Sequence, residues 1–352
     1  MTNNANTSSD FDETTSVHHI VRSTWLSFVF VFGTVGNFLL FAVILRKGRI
    51  ANVANLFNLN LAVGDLIRIF VFIPVYLVYS AHVEWPPGLG LVGCKVVLMI
   101  VQSSLTVSIV TLLFMSMERY QAVVNPLKKQ MTIRLARFLV VISWILGFIT
   151  SIWFSMSLHL VTDRNGRVGC DTRSTQSWIT DALLLLIIAT QWLPGVVFTA
   201  AYIKIILKLR RDSAINPSDV SQSSQNRHRR NLRAARILVI EVVLFLACLY
   251  PFYHYSMARA FANGASVAPM SVEGMLVYCL MMTYSLINPF CHILFNSEFR
   301  GELVKMNYQL KVFCHLEKNR VSECSHCHRS GWHLHYEETR NNEERTNTIR
   351  EE

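Results

Sequence analysis

The sequence predicts an all-α membrane protein, a seven-transmembrane helix bundle followed by a cytoplasmic amphipathic helix 8. Hydrophobic residues make up 52% of the 352 residues and charged residues only 16%, which is too apolar for an ordinary soluble domain. Apolar stretches recur along the chain at about the 20 residues that a spanning helix needs. The cations collect in alternate connecting segments, as they do in multi-pass membrane proteins.

Seven apolar stretches are the predicted spans. In order they are Trp25–Leu45, Leu56–Val78, Val96–Met117, Phe138–Leu158, Ala182–Ile203, Val242–Met257 and Gly274–Ser297. Two of them carry charge: Asp65 and Arg68 interrupt the second, and Glu241 stands at the edge of the sixth. An ionisable residue inside a span is costly, so these residues are functional candidates.

The distribution of positive charge predicts the topology. The chain has a net charge of +10, and its cations cluster at 46–49, 128–137 and 204–236, after the first, third and fifth spans. Loops rich in Lys and Arg stay in the cytoplasm, which predicts a multi-pass plasma-membrane protein with an extracellular N-terminus. The same clustering argues against nucleic acid as a partner.

Four regions follow from this topology. Residues 1–21 form a polar extracellular tail with no signal peptide and a glycosylation sequon at Asn6, and residues 22–295 form the bundle. Apolar residues every three or four positions in 296–313 predict an amphipathic helix 8 on the lipids of the inner leaflet. Residues 314–352 are polar and His-rich and are expected to be disordered. A Ser-, Asn- and Gln-rich stretch at 212–226 is expected to be a flexible linker.

Several motifs occur in the order in which one receptor family carries them. They are Gly36-Asn37, Asn60 to Asp65, Cys94, Glu118-Arg119-Tyr120, Trp144, Pro194 with Tyr202, Phe245 with Cys248 and Pro251, and Asn288-Pro289. Together they resemble the rhodopsin-like (class A) G-protein-coupled receptors, most closely the neuropeptide receptor group, over residues 22 to 313. The resemblance implies a receptor that activates heterotrimeric G proteins and recruits arrestin. It also implies a disulfide between Cys94 and Cys170, and a lipid anchor on Cys314.

The resemblance further implies an activation switch. Its residues are Glu118, Arg119, Tyr120, Tyr202, Glu241, Phe245, Pro251, Asn288, Pro289 and His292. Within it, Glu118 holds Arg119 at rest, and Arg119 turns toward the G protein and Tyr202 on activation. Two positions depart from the family, because Leu249 replaces a tryptophan and His292 a tyrosine. We expect a buried Glu241–His292 pair that couples protonation to activation; alternatively, Glu241 points to the lipid headgroups.

A polar core is expected around Asp65, formed with Asn37, Ser108, Ser285 and Asn288. In the family such an aspartate binds an allosteric sodium ion, and Asp65, Ser108, Ser285 and Asn288 supply the oxygen ligands that hard cations prefer. No other cofactor is expected. Two alternatives stay open: a hydrogen-bonded core without an ion, and a core in which Arg68, one turn from Asp65, substitutes for sodium.

The ligand is expected to be an extracellular peptide. Val101 stands where amine receptors carry an aspartate, and Gly274–Ser297 contains no lysine for a retinal Schiff base. Arg164-Asn165-Gly166-Arg167 predicts a β-hairpin lid before Cys170. The predicted pocket residues are Arg68, Val101, Gln102, Trp178, Gln191, Phe252, Tyr253, Tyr255, Arg259 and Glu273.

Three other functions are alternatives to a peptide receptor. A small anionic or lipid ligand would use Arg68 and Arg259 as countercharges. A non-signalling decoy receptor would account for Leu249 and His292. An enzyme is not expected, because the spans offer no nucleophile with a base and no His/Asp metal cluster at helical spacing. The tail around Cys324 and Cys327 is rich in zinc-type ligands, but its spacing matches no standard finger.

Overall fold

The computed structural model describes residues 4–46, 52–82, 88–125, 128–156, 158–162, 168–172, 182, 185–186, 189–190, 193–213, 222–263, 272–296, 299–309 and 311. These residues contain seven long helices: α1 (Asn4–Leu45), α2 (Val53–His82), α3 (Gly90–Val124), α4 (Ile133–Met156), α5 (Leu193–Ser213), α6 (Gln222–Asn263) and α7 (Val272–Phe295). Two strands, β1 (Leu158–Thr162) and β2 (Val168–Thr172), lie between α4 and α5.

Five of the described helices are long and apolar enough to cross a membrane. The qualifying stretches are Ile20–Leu45 of α1, Val53–Val78 of α2, the whole of α3 and α4, and Leu276–Phe295 of α7. A shorter apolar stretch, Leu193–Ile205, lies in α5, whose predicted beginning at Ala182 falls in a region that is only partly described. Large apolar side chains such as Phe32, Phe138 and Ile149 point outward, as expected where lipid surrounds the helices.

Most helix bounds differ from the predicted spans, and three of the differences change the assignment of a region. α1 begins at Asn4, inside the predicted tail, and α6 begins at Gln222, inside the predicted linker 212–226. A helix that is already nucleated by an apolar span extends at little cost, and Gln and Arg are good helix formers. α4 ends at Met156, so Leu158, predicted as the end of the fourth span, begins β1 instead.

α3 is the central helix of the bundle. It contacts α2, α4, α5 and α6, while α1 packs against α2 and α7, and α6 packs against α7. Glycines permit the closest approaches, as is common between membrane helices. A β-carbon on Gly147 of α4 would lie 2.9 Å from the Ser103 carbonyl of α3. One on Gly36 of α1 would lie 2.9 Å from the Pro289 ring of α7.

Asn60 joins three helices through its side-chain amide. It donates to Thr111 Oγ1 of α3 at 2.7 Å and to Ser143 Oγ of α4 at 3.3 Å. Its carbonyl oxygen accepts from Trp144 Nε1 at 2.9 Å. A polar group is stable in an apolar bundle when its hydrogen bonds are satisfied, so Asn60 fixes α2, α3 and α4 relative to one another.

The strands confirm the predicted hairpin. β1 and β2 pair antiparallel, with Leu160 opposite Cys170 and Thr162 opposite Val168. The predicted turn residues Arg164 to Arg167 lie outside the described residues.

In the separate unit that begins at Glu298, residues 299–309 are helical, and Lys305 pairs with Glu302 at 3.1 Å. Residues 312–352, including Cys314 and the Cys/His-rich tail, lie outside the described residues.

Candidate functional site

A disulfide between Cys94 and Cys170 fixes the hairpin to the beginning of α3. The Cα atoms of the two cysteines are 5.7 Å apart, within the usual range for a disulfide. This confirms the predicted pairing, and we call this side of the bundle the disulfide end. The other described cysteines, Cys248, Cys279 and Cys291, are free thiols.

The opposite side, which we call the Arg119 end, carries an ion pair between neighbouring residues. Arg119 Nε lies 2.6 Å from Glu118 Oε2, and the two side chains are 13% and 16% exposed, respectively. Tyr202 of α5 is buried beside α3, where its hydroxyl lies 3.2 Å from Ser116 Oγ. Ser116 lies one turn before Arg119 on α3, so the predicted partners Arg119 and Tyr202 lie at the same end of the bundle. Tyr120, next to Arg119, is half-buried.

The middle of α6 meets α7 through aromatic contact. The Phe245 ring packs edge-on against Tyr284 of α7, with the ring centroids 4.5 Å apart. Leu249, one turn further along, is buried where the family has a tryptophan. Pro251 lies inside α6, where a proline removes a backbone hydrogen bond and lets a helix bend.

Glu241 and His292 lie close together, as predicted. His292 Nε2 is 3.6 Å from Glu241 Oε1, and both side chains are buried. On its other side, His292 Nδ1 lies 3.3 Å from the Asn296 amide nitrogen. The alternative, with Glu241 among the lipid headgroups, is wrong, because Glu241 is only 2% exposed and faces α7.

The polar core contains an ion pair in addition to the predicted oxygen atoms. Asp65 and Arg68 are bonded to each other, and neither side chain is exposed. Arg68 Nε also donates to Ser285 Oγ of α7 at 3.1 Å. The structure therefore places Arg68 inside the polar core, whereas the sequence had assigned it to the ligand pocket as well.

The remaining core residues bind mainly to backbone. The Asn37 amide donates to the carbonyls of Gly33 and Ser285, each at 2.9 Å. Ser108 Oγ donates to the Ser104 carbonyl of its own helix at 3.0 Å. The buried Asn288 amide has no hydrogen-bond partner among the described residues.

The described pocket residues lie on three helices toward the disulfide end. Val101 is buried and Gln102 is half-buried on α3, while Phe252, Tyr253 and Tyr255 are buried or half-buried on α6, and Glu273 is exposed at the start of α7. Trp178 and Gln191 lie outside the described residues, as do the side chains of Arg259 and of Asn6.

An aromatic cluster near this pocket was not predicted. Tyr76 of α2 stacks on Phe72 of its own helix, at 5.1 Å between ring centroids, and on Tyr278 of α7 at 5.9 Å. Phe252 packs edge-on against Tyr278 at 5.0 Å, and the Arg22 guanidinium lies 5.2 Å from the Tyr76 ring centroid. The spacing of four residues from Arg68 to Phe72 to Tyr76 marks one face of α2 and could have revealed this cluster.

Within the part of the chain that the structure describes, no group of three His, Cys, Asp or Glu side chains lies close enough to hold a metal ion. The features that stand out are instead a hairpin tethered at one end, an ion pair at the other, and a polar core between them. This combination of seven-helix bundle and motif positions defines a membrane receptor.

Comparison with known families agrees with this class. The family described as 7 transmembrane receptor (rhodopsin family) matches residues 36–292. The chain belongs to this family. The match spans most of the bundle, from Gly36 in α1 to His292 in α7.

Individual relatives include receptors named for peptides. The chain is 25% identical to the mouse somatostatin receptor type 2 over 314 residues, which cover 86% of this chain and 82% of the relative. It is 26% identical to the tachykinin-like peptides receptor 99D of Drosophila melanogaster, covering 77% of this chain and 53% of that protein. These relatives confirm the resemblance to the neuropeptide receptor group.

The crystal structure of squid rhodopsin has the same fold. The TM-score is 0.71 at 19% sequence identity, and the match covers 85% of this chain and 88% of that one. At this identity the comparison concerns the fold alone. It confirms the seven-transmembrane bundle that the sequence predicted.

Proposed function

We propose that this receptor sits in the plasma membrane with its N-terminus outside, binds a peptide at the disulfide end and activates heterotrimeric G proteins at the Arg119 end. The observation that carries the proposal is the Glu118–Arg119 ion pair at the end of α3, one turn from Tyr202 and Ser116. Because both side chains are partly exposed, a protein bound at this end can reach the guanidinium and compete for it.

The orientation is supported by charge. The described parts of the cation-rich segments, Arg46, 128–137, 204–213 and 222–236, lie toward the Arg119 end of their helices. Such segments are retained in the cytoplasm. The charge distribution supports an orientation with Arg119 on the cytoplasmic side, where G proteins and arrestin are found, and with the disulfide on the oxidising side.

A peptide ligand is supported by the hairpin and by the relatives. The paired strands β1 and β2 are tethered to α3 by Cys94–Cys170, which keeps an extended lid beside the pocket residues. Gln102, Tyr253 and Tyr255 offer amide and phenol groups to a peptide backbone. The somatostatin and tachykinin-like peptides receptors are related over most of this chain.

An anionic or lipid ligand is less favoured by the same geometry. Arg68, one of its two proposed countercharges, is fully buried and bonded to Asp65 and Ser285. Using it for a ligand would leave the Asp65 carboxylate buried and unpaired, which is costly. A peptide does not require this cation.

A non-signalling decoy receptor is the second candidate function. It is favoured by one specific observation, the replacement of two switch residues by Leu249 and His292, both of which are buried between helices. Phe245 and Tyr284 still make the aromatic contact between α6 and α7, so a movement of α6 can be transmitted to α7 through these two rings. Nucleotide exchange separates the two functions.

The coupling test uses purified full-length receptor in lipid nanodiscs with each class of heterotrimeric G protein. We expect receptor-dependent nucleotide exchange on at least one class, and its loss in Arg119→Ala. Arg137→Ala is the matched control, because Arg137 is an exposed arginine at the same end of the bundle. Folded receptor that is silent with every class, with and without ligands, would instead favour the decoy.

The ligand test screens a peptide library and a lipid-acid library in cells that express the receptor. We expect a peptide to activate it, with potency about tenfold lower or more in Gln102→Ala, since losing a buried hydrogen bond costs roughly 1–3 kcal/mol. Val96→Ala is the control, because Val96 is an exposed apolar residue on the same helix. Activation by lipid acids alone would contradict the peptide assignment.

A further inference from the structure

The centre of the bundle contains a positive charge that belongs to the chain itself. Arg68 stands one helical turn from Asp65 on α2, and its Nη2 atom is bonded to Asp65 Oδ1. Neither side chain is exposed to solvent. A guanidinium presents several donors in a fixed plane, so it can hold one carboxylate and still donate elsewhere.

The second donor reaches across to α7. Arg68 Nε donates to Ser285 Oγ at 3.1 Å. The Arg68 Cζ atom lies 5.4 Å from the centroid of the Tyr284 ring, close enough for a cation–π interaction. The guanidinium is thus held by three different groups from two helices, which fixes its position between α2 and α7.

The same contacts occupy part of the oxygen set that a metal ion would need. Ser285 Oγ and Asp65 Oδ1 are already bonded to Arg68. Among the described residues, Asp65 Oδ2 and the amide oxygens of Asn37 and Asn288 have no hydrogen-bond partner. A hard cation needs several converging oxygen ligands, and the guanidinium is bound to two of the groups that would supply them, so a sodium ion would have to displace it.

Charge leads to the same result as geometry. The single negative charge of Asp65 is balanced by the single positive charge of Arg68, so the core as a whole attracts no further cation. An added sodium ion would lie next to a guanidinium in a medium that screens charge poorly. Sodium could bind only if Arg68 left its three contacts.

We infer that Arg68 is the internal counter-ion of this receptor and occupies the place of a bound sodium ion at Asp65. The receptor therefore neither requires nor responds to sodium at this position. The inference rests on the contacts of Asp65, Arg68 and Ser285, and it holds whatever the ligand or the G protein is.

The experiment measures thermal unfolding of the purified full-length receptor in detergent, in equal concentrations of sodium chloride or N-methyl-D-glucamine chloride. The wild type is expected to unfold at the same temperature in both salts. Arg68→Met removes the charge but keeps an unbranched side chain, which leaves Asp65 without a cation. This variant is expected to unfold roughly 2–8 °C higher in sodium, the shift that ligand binding of ordinary strength produces.

The double variant Asp65→Asn/Arg68→Met is the matched control. It has the same methionine but no carboxylate, so its unfolding temperature should be the same in both salts. A wild-type receptor that is stabilised by sodium, with the effect removed by Asp65→Asn, would overturn the inference. So would a folded Arg68→Met variant that does not respond to sodium. The wild-type comparison decides the question even if Arg68→Met cannot be purified.

Discussion

The Asp65–Arg68 and Glu118–Arg119 pairs combine the same charged groups but lie in different surroundings. Asp65 and Arg68 are not exposed at all and share their contacts with Ser285 of α7. Glu118 and Arg119 are partly exposed at the end of α3, and they are neighbours in the chain. Each pair lies within one helix, but the first is bonded to a second helix through Ser285 in the interior, whereas the second lies at the edge of the bundle.

The difference in burial indicates a difference in role. Separating a fully buried pair leaves an uncompensated charge in an apolar interior, which is costly. Separating a partly exposed pair at the end of a helix brings the groups closer to water, so it costs less than separating the fully buried pair. A switch must open at a modest cost, so we assign switching to Glu118–Arg119 and structural support to Asp65–Arg68.

The largest expected effect is on stability at the buried pair. Arg68→Met in sodium-free buffer should lower the free energy of unfolding by about 3–5 kcal/mol, because Asp65 would stay buried without a partner. The neutral double variant Asp65→Asn/Arg68→Met should recover most of this loss. Thermal unfolding of the three proteins measures both quantities. A double variant no more stable than Arg68→Met would show that the charge of Asp65 is not the cause.

A smaller effect is expected where the buried pair reaches α7. Ser285→Ala removes the hydroxyl that accepts from Arg68 Nε, which should destabilise the receptor by about 1–3 kcal/mol. Ser108→Ala is the matched control and should cost less than about 1 kcal/mol. Among the described residues, the Ser108 hydroxyl bonds only to the backbone of its own helix. Equal losses in the two variants would contradict the bridge between α2 and α7.

The third charged pair, Glu241–His292, should affect pH dependence more than stability. His292 and the Glu241 carboxyl face each other, so a proton gained or lost by the pair changes the charge between α6 and α7. Wild-type signalling should therefore vary with pH, and His292→Phe should alter the profile. Tyr202, Tyr284 and Cys291 also lie near Glu241, but phenols and thiols are ordinarily protonated near neutral pH. Nucleotide exchange across pH measures this, and identical profiles for the two proteins would remove His292 from the switch.

Much of the fold follows from the sequence because the bilayer imposes simple rules. The length of apolar stretches predicted α2, α4 and α7 to within five residues at each end and α3 to within seven. The extension of α1 to Asn4 and of α6 to Gln222 was not predicted. Polar residues continue a helix that apolar neighbours have already nucleated, and composition does not reveal where such an extension stops.

Only part of the site could be predicted, because some of its contacts depend on how the helices pack against each other. The Cys94–Cys170 pairing and the proximity of Glu241 to His292 were predicted from the family resemblance, which indicates which residues of different elements lie close together. Spacing alone allowed the Asp65–Arg68 pair, because both residues lie on one helix. The bond from Arg68 to Ser285 and the stack of Tyr76 on Tyr278 depend on how α2 and α7 rotate toward each other, which no local pattern encodes.

The most direct test of the two roles measures unfolding temperature and G-protein nucleotide exchange on the same two variants, Arg68→Met and Arg119→Met. We expect Arg68→Met to lose several degrees of unfolding temperature in sodium-free buffer. Arg119→Met should lose less unfolding temperature than Arg68→Met, because its pair is partly exposed, and it should lose nucleotide exchange. Two results would contradict this assignment of roles. One is an Arg119→Met receptor that still drives nucleotide exchange, which would mean that the Glu118–Arg119 pair is not the switch. The other is an Arg119→Met receptor that loses as much stability as Arg68→Met, which would mean that the two pairs do not differ in structural role.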